Sequence, residues 1–188
     1  MWMVLQVDDE RRELSYRGRV PNRFRVVVAS VGTALVVAYA LVGSLQVLVW
    51  NPLAAVPGLT LPEIHAELDR VGQSFSATRV ILWAVLGVSV ATLLAASTLR
   101  PNGLALSHVA FAYSLLLVGG APSLFCVAFL PGMQLADGFG TAGGDHSPWA
   151  RPLFSTSFLA MIVAIATASL VIKTSRRRTP GPQAYRDV

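Results

Sequence analysis

Charged residues are scarce in this chain, at 13% of its 188 residues, and hydrophobic residues reach 54%. Soluble domains usually carry about a quarter of their residues as Asp, Glu, Lys or Arg. The composition therefore argues against a water-soluble fold. Four long stretches contain no charged residue at all: 26–50, 80–99, 104–130 and 152–172.

Each charge-free stretch has the length that a membrane crossing requires. A helix needs about 20 apolar residues to span a hydrocarbon core about 30 Å thick, and it satisfies its own backbone hydrogen bonds there. The sequence predicts an all-α integral membrane protein with four transmembrane helices and one membrane domain, residues 26–172. This domain includes two outer loops, 51–79 and 131–151, and is flanked by two basic tails, 1–25 and 173–188.

The chain also lacks the residues on which most site chemistry depends. Cys126 is the single cysteine, so neither an intrachain disulfide nor a cysteine metal cluster is possible. No HExxH pattern, nucleophile elbow or phosphate loop is present. Of Asp, Glu, Lys, Arg and His, only His108 occurs inside a span, which argues against proton-coupled and charged-substrate carriers. We expect no enzyme activity and no cofactor.

The basic residues lie mainly on one side of the predicted membrane domain. Six precede the first span, one separates the second and third spans, and five follow the fourth, which makes twelve of the 15. Arg70, Arg79 and Arg151 remain on the opposite side. The positive-inside rule places the basic side in the cytoplasm, so we expect both termini there, in a plasma membrane of bacterial type.

Basic residues next to span ends favour a topogenic role over nucleic-acid binding. The run Arg176, Arg177 and Arg178 is the best candidate for contact with anionic lipid headgroups. The tail after it is polar and contains Pro and Gly, and such a composition predicts disorder.

An amphipathic helix is predicted in the first outer loop, from Thr60 to about Phe75. Thr60 and Glu63 have the spacing of a capping box, and Pro62 is tolerated in a first turn. The apolar stripe is a candidate partner contact, although it equally suits a helix that lies over its own bundle. Its members are Leu61, Ile64, Leu68, Val71 and Phe75.

Span three is predicted to kink in its outer half, where Gly119, Gly120 and Pro122 occur. Pro122 has no N–H to donate to the carbonyl of Val118, and its ring crowds that turn. A gate or discontinuous transport helix is the functional interpretation, and a structural kink is the alternative.

Small residues at every fourth position predict close helix packing in spans two and four. These ridges consist of Gly87, Ala91 and Ala95 in the second span and of Ala160, Ala164 and Ala168 in the fourth.

The outer loops carry the polar residues that suit a metal. Imidazole and carboxylate groups bind divalent ions where they converge; the alternative is a hydrated acidic surface. The second outer loop is rich in glycine and predicts a mobile segment. The metal-ligand candidates are His65, Asp69, Asp145 and His146.

These features lead to two hypotheses about function. The first is an accessory or interaction subunit of a membrane complex, in contact with the lipid bilayer and with a membrane-protein partner through the outer helix and loop. The second is a self-associated channel or transporter for a neutral or apolar solute, with Pro122 at a gate.

Overall fold

The computed structural model describes residues 23–98, 100 and 103–176, and the regular secondary structure of this part is helical throughout. The first helix contains a π-helical turn, Gln46–Trp50, close to its end. The helices are α1 (Arg23–Ala55), α2 (Leu61–Arg70), α3 (Thr78–Thr98), α4 (Leu106–Val118), α5 (Gly120–Phe139) and α6 (Ala150–Arg176).

Four helical segments are long and apolar enough to cross a membrane, which makes this an all-helical protein of the membrane-embedded kind. The helices α4 and α5 together form one of these segments, Leu106–Phe139. The others are Arg23–Ala55, Thr78–Thr98 and Ala150–Ile172.

The third segment differs from its sequence-based prediction, which ended it at Leu130 and began a mobile loop at Pro131. The helix continues through Pro131 to Phe139. Proline removes one backbone donor from a helix, but Pro131 and Leu135 are buried here. Tertiary packing thus maintains the helix beyond the proline, and the loop is confined to the residues between Phe139 and Ala150.

Tyr113 ties three helices together in the centre of the bundle. It is 3% exposed on α4, and its hydroxyl lies 2.9 Å from the Ala91 carbonyl oxygen and 2.7 Å from Thr33 Oγ1. Its ring packs against Gly32, where a Cβ atom would come within 2.5 Å of it. Glycine at this position therefore permits the close approach of α1 and α4.

The small-residue ridges contribute to this packing unevenly. Ala91 is completely buried, and Ala160 and Ala164 are nearly so. Gly87 differs, since a Cβ atom there would meet nothing within 4 Å. Its position borders an open groove that is lined by α1, α3 and the α4–α5 segment, and it leaves room for a larger side chain.

The two ends of the bundle are distinguished by their contacts. Arg25 Nη1 donates hydrogen bonds to the carbonyl oxygens of Gly103 and Leu104, at 2.9 and 3.0 Å. The start of α1 and the link between α3 and α4 therefore share one end, here called the basic end. The helix α2 lies at the other, here called the α2 end.

Candidate functional site

The first candidate site is the break between α4 and α5, at Gly119. In a continuous helix the Ala121 N–H would donate to the Leu117 carbonyl oxygen. The Ser157 hydroxyl of α6 stands between them instead: it donates to the Leu117 oxygen at 2.7 Å and accepts from the Ala121 N–H at 3.2 Å. A side chain of another helix thus satisfies both freed backbone groups.

The break is fixed by close packing on its other side. A Cβ atom on Gly120 would lie 2.8 Å from the Tyr39 ring, and the Tyr39 hydroxyl is 3.3 Å from that of Ser157. Trp83 Nε1 donates to Ser123 Oγ at 2.9 Å. The break coincides with the first of the three residues predicted to kink this span, and its polar atoms form a bonded joint between helices.

The second candidate site is a cavity of about 70 Å³ at the α2 end. The π-helical turn places two polar residues of α1 on its wall: the Asn51 N–H donates to the Gln46 carbonyl oxygen, and both side chains are at most 8% exposed. Wide turns of this kind occur frequently at functional sites.

The loop after α5 contributes a second set of polar groups to this cavity. Gln46 Nε2 donates to Asp145 Oδ1 at 3.4 Å, and the His146 backbone N–H donates to Asn51 Oδ1 at 2.7 Å. The side-chain amide oxygen of Gln46, Oε1, is buried and has no hydrogen-bond partner within the described part of the chain. Beside this loop the rings of Trp50 and Trp149 stack with their centroids 4.9 Å apart.

The four metal-ligand candidates divide between two places. Asp145 lines the cavity. His146 follows it in the loop, where its imidazole Nε2 lies 2.9 Å from the Ala142 carbonyl oxygen. His65 lies on α2 and stacks on Phe75, with ring centroids 5.0 Å apart. Across the described residues, no three His, Cys, Asp or Glu side chains form a group that could hold a metal ion.

The apolar stripe of α2 is covered mainly by the chain itself. Ile64 and Leu68 are completely buried in a cluster with Leu135 of α5. Leu68 also packs on Gly138, where a Cβ atom would come within 2.6 Å of it. The two central residues are therefore not the free partner surface that the stripe suggested. Leu61 is partly exposed, and Val71 is 43% exposed.

The end of α2 also differs from its prediction, which extended the helix to about Phe75. Gly72, with φ of 78°, follows the last turn. The Gln73 N–H donates to the Leu68 carbonyl oxygen, and the Gly72 N–H donates to that of Asp69, which is the Schellman arrangement that ends helices. Phe75 then packs against the cluster from a non-helical segment.

The start of α2 has the predicted capping box. The Thr60 N–H and hydroxyl both donate to Glu63 Oε2 at 2.7 Å. Both hydrogen bonds lower the pKa of this carboxyl group, and the bond from the backbone N–H has the larger effect. Glu67 accepts from Arg70 Nε at 2.8 Å, and this hydrogen bond lowers the pKa of Glu67.

Several of these site residues were missed by sequence reasoning. Gln46, Asn51 and Ser157 are polar and nearly buried, and amides and hydroxyls among apolar helices are the available signal. The candidate headgroup residues Arg177 and Arg178 lie outside the described residues, and only the helical backbone is described at Arg176.

Comparison of the chain with protein-family models, curated proteins and solved structures gave no match. The helices define a membrane-embedded bundle, and its function has to be inferred from its own sites.

Proposed function

We propose that this chain is a non-enzymatic accessory or interaction subunit of a membrane complex. The basic end faces the cytoplasm and the α2 end faces outward, in agreement with the distribution of basic residues. The partner contacts the exposed side of α2.

The observation that carries this proposal is the fixed position of α2. Its apolar side is anchored by Ile64 and Leu68, and both of its ends are closed by capping hydrogen bonds. A rigid helix that already covers its own bundle presents an ordered polar face, which binds a partner at a low entropic cost.

The exposed face has a charge that suits one kind of partner. Glu63 and Asp69 are exposed there, and the single arginine of the helix, Arg70, is paired with Glu67. Val71 adds an exposed apolar contact. A basic extracytoplasmic segment of another membrane protein would complement this surface.

Affinity purification in mild detergent tests the proposal. The wild-type chain should retain a foreign membrane protein in fixed stoichiometry, and the double variant Asp69→Lys, Val71→Arg should lose it without a change in thermal stability. Arg100→Gln, an exposed charge change at the basic end, is the control and should keep the partner. A wild-type chain that purifies alone as a monomer would contradict the proposal.

A homo-oligomeric channel or transporter for a neutral or apolar solute is the second candidate, favoured by the break between α4 and α5. A discontinuous helix can supply backbone groups for a transport site; the groups at this break are bonded to Ser157, which a solute would have to replace. Proteoliposomes that take up glycerol or urea faster than empty liposomes, with a rate changed by Pro122→Ala, would support it. A closed homo-oligomer without a foreign subunit would favour it over the first candidate.

A further inference from the structure

Gln46 has an acceptor atom that the described chain leaves unused. The side chain is 2% exposed, and its Nε2 group points to the Asp145 carboxylate. Because an ionised carboxylate only accepts hydrogen bonds, this contact fixes the orientation of the amide. Its side-chain oxygen Oε1 is left buried without a partner in the described chain, and Gln46 is one of the residues that line the cavity. An unsatisfied buried acceptor is costly.

Asp145 supplies a negative charge beside that oxygen. No Lys or Arg of the described residues forms an ion pair with it, and its neighbours Gly143 and Gly144 are exposed, so the cavity opens to solvent past this loop. A ligand that donates to an amide oxygen and also neutralises a carboxylate must be a cation with N–H or O–H groups.

The remaining walls favour an organic ammonium over a metal ion. Phe125, Phe129 and Phe154 line the cavity, and aromatic faces attract ammonium groups. Calcium and magnesium take about six or more oxygen ligands, whereas the side chains here offer one carboxylate and one free amide oxygen.

We propose that this cavity binds a primary ammonium group, which donates to the side-chain oxygen Oε1 of Gln46 and to the Asp145 carboxylate. A cavity of about 70 Å³ has room for the charged head and the first carbon of such a ligand, since one water needs about 10–15 Å³ by this measure. The same chemistry occurs in small alkylamines and in aminophospholipid headgroups. This site is independent of the partner surface on α2.

Thermal unfolding in non-ionic detergent at constant ionic strength tests the proposal, with methylammonium chloride as the probe. At ten times its dissociation constant, methylammonium should raise the unfolding midpoint by about 3–6 °C. Tetramethylammonium, which has no N–H donor, should leave it unchanged. Tryptophan fluorescence should follow the same saturation curve, since Trp50 and Trp149 stack beside the cavity.

Two variants and one control assign the effect to the site. Asp145→Asn removes the charge and should weaken methylammonium binding by about tenfold. Gln46→Met removes the free acceptor and keeps a side chain of similar size. Without ligand this variant should be as stable as the wild type, and methylammonium should no longer raise its unfolding midpoint. Asp137→Asn alters an exposed carboxylate that does not line the cavity, and methylammonium should raise its unfolding midpoint as it does in the wild type.

The outcomes distinguish a lipid headgroup from a free amine as the ligand, and both from a cavity that holds only water. In the first outcome, the wild type retains phosphatidylethanolamine in preference to phosphatidylcholine, and Asp145→Asn loses this preference. That result supports the proposal and identifies a lipid headgroup as the ligand. Saturable methylammonium binding without that preference supports it and identifies a free amine. Equal responses to methylammonium and tetramethylammonium, or no saturable response to either, would overturn it and leave a cavity filled by water.

Discussion

Ser157 on α6 donates a hydrogen bond of 2.7 Å to the carbonyl oxygen of Leu117 on α4. The contact joins two helices at the point where the third apolar segment is interrupted. Ser157 also accepts from the Ala121 N–H, so one hydroxyl bridges the two groups of a single missing helix hydrogen bond. The interruption is therefore part of the interface between helices.

Ser157→Ala should destabilise the bundle by about 1–2 kcal/mol, because the Leu117 carbonyl and the Ala121 N–H lose their partner where water is scarce. Thermal unfolding of the detergent-solubilised protein measures this. Ser155→Ala is the matched control, since Ser155 is exposed on the same helix. Equal stability of the two variants would mean that the backbone closes the break by itself.

Ala91→Leu should destabilise the chain by about 1–3 kcal/mol through overpacking. Ala91 is completely buried, and its carbonyl oxygen accepts from the Tyr113 hydroxyl, so a larger side chain must separate α3 from its neighbours. Ala96→Leu, at an exposed position of the same helix, is the control. An unchanged unfolding midpoint for Ala91→Leu would contradict the packing described at this position.

The membrane-crossing segments were predictable from the sequence because a bilayer excludes charge along a whole helix, and that absence is visible residue by residue. The break falls at Gly119, in the stretch where Pro122, which cannot donate, predicted a kink together with Gly119 and Gly120; the kink itself stays a prediction. The involvement of Ser157 was not predictable, because it depends on how α6 packs against α4, and sequence periodicity does not reveal that register.

The helix α2 shows the same division between local and tertiary information. Its start follows from the Thr60 and Glu63 pair alone. Its end was misplaced because the apolar stripe continues past Gly72, although a glycine at that point is itself a stop signal. Phe75 reaches the cluster through a change in chain direction, which no helical period describes.

The buried acceptor of Gln46 was similarly hidden. Its contact with Asp145 joins residues distant in sequence, and the π-helical turn that positions Asn51 has no marked local signature. Polar residues within apolar stretches were the only indication available.

Thiol labelling of single-cysteine variants in a Cys126→Ser background should establish the orientation. An impermeant reagent applied to intact cells should react at Arg70→Cys and Ala142→Cys, because the α2 end is proposed to face outward. It should not react at Ser15→Cys or Gln183→Cys until the membrane is permeabilised. Labelling at the terminal positions alone would reverse the orientation.

Acidification should destabilise α2, because protonation of the Glu63 carboxyl group removes the stabilisation that this carboxylate gives to the start of the helix. The hydrogen bonds from Thr60 lower the pKa of this carboxyl group below its ordinary value of 4.5. The stabilisation is therefore fully present above 4.5 and is lost as the pH falls through the lower folded-state pKa. Glu63→Gln should reduce the difference in unfolding midpoint between pH 6 and pH 3, and Asp137→Asn is the control. An unchanged difference in Glu63→Gln would show that the capping box does not contribute.

Leu68→Asp should lower the stability of the isolated chain by about 3–5 kcal/mol, because a carboxylate would replace a completely buried leucine in the cluster with Ile64 and Leu135. Leu68→Ala, expected to cost about 2–5 kcal/mol, keeps the test valid if the charged variant does not fold. Val71→Asp, at a 43% exposed position, is the control and should change the unfolding midpoint little. If Leu68→Asp and Val71→Asp unfold at the same temperature as the wild type, α2 is not anchored to its own bundle, and the rigid surface proposed for the partner loses its basis.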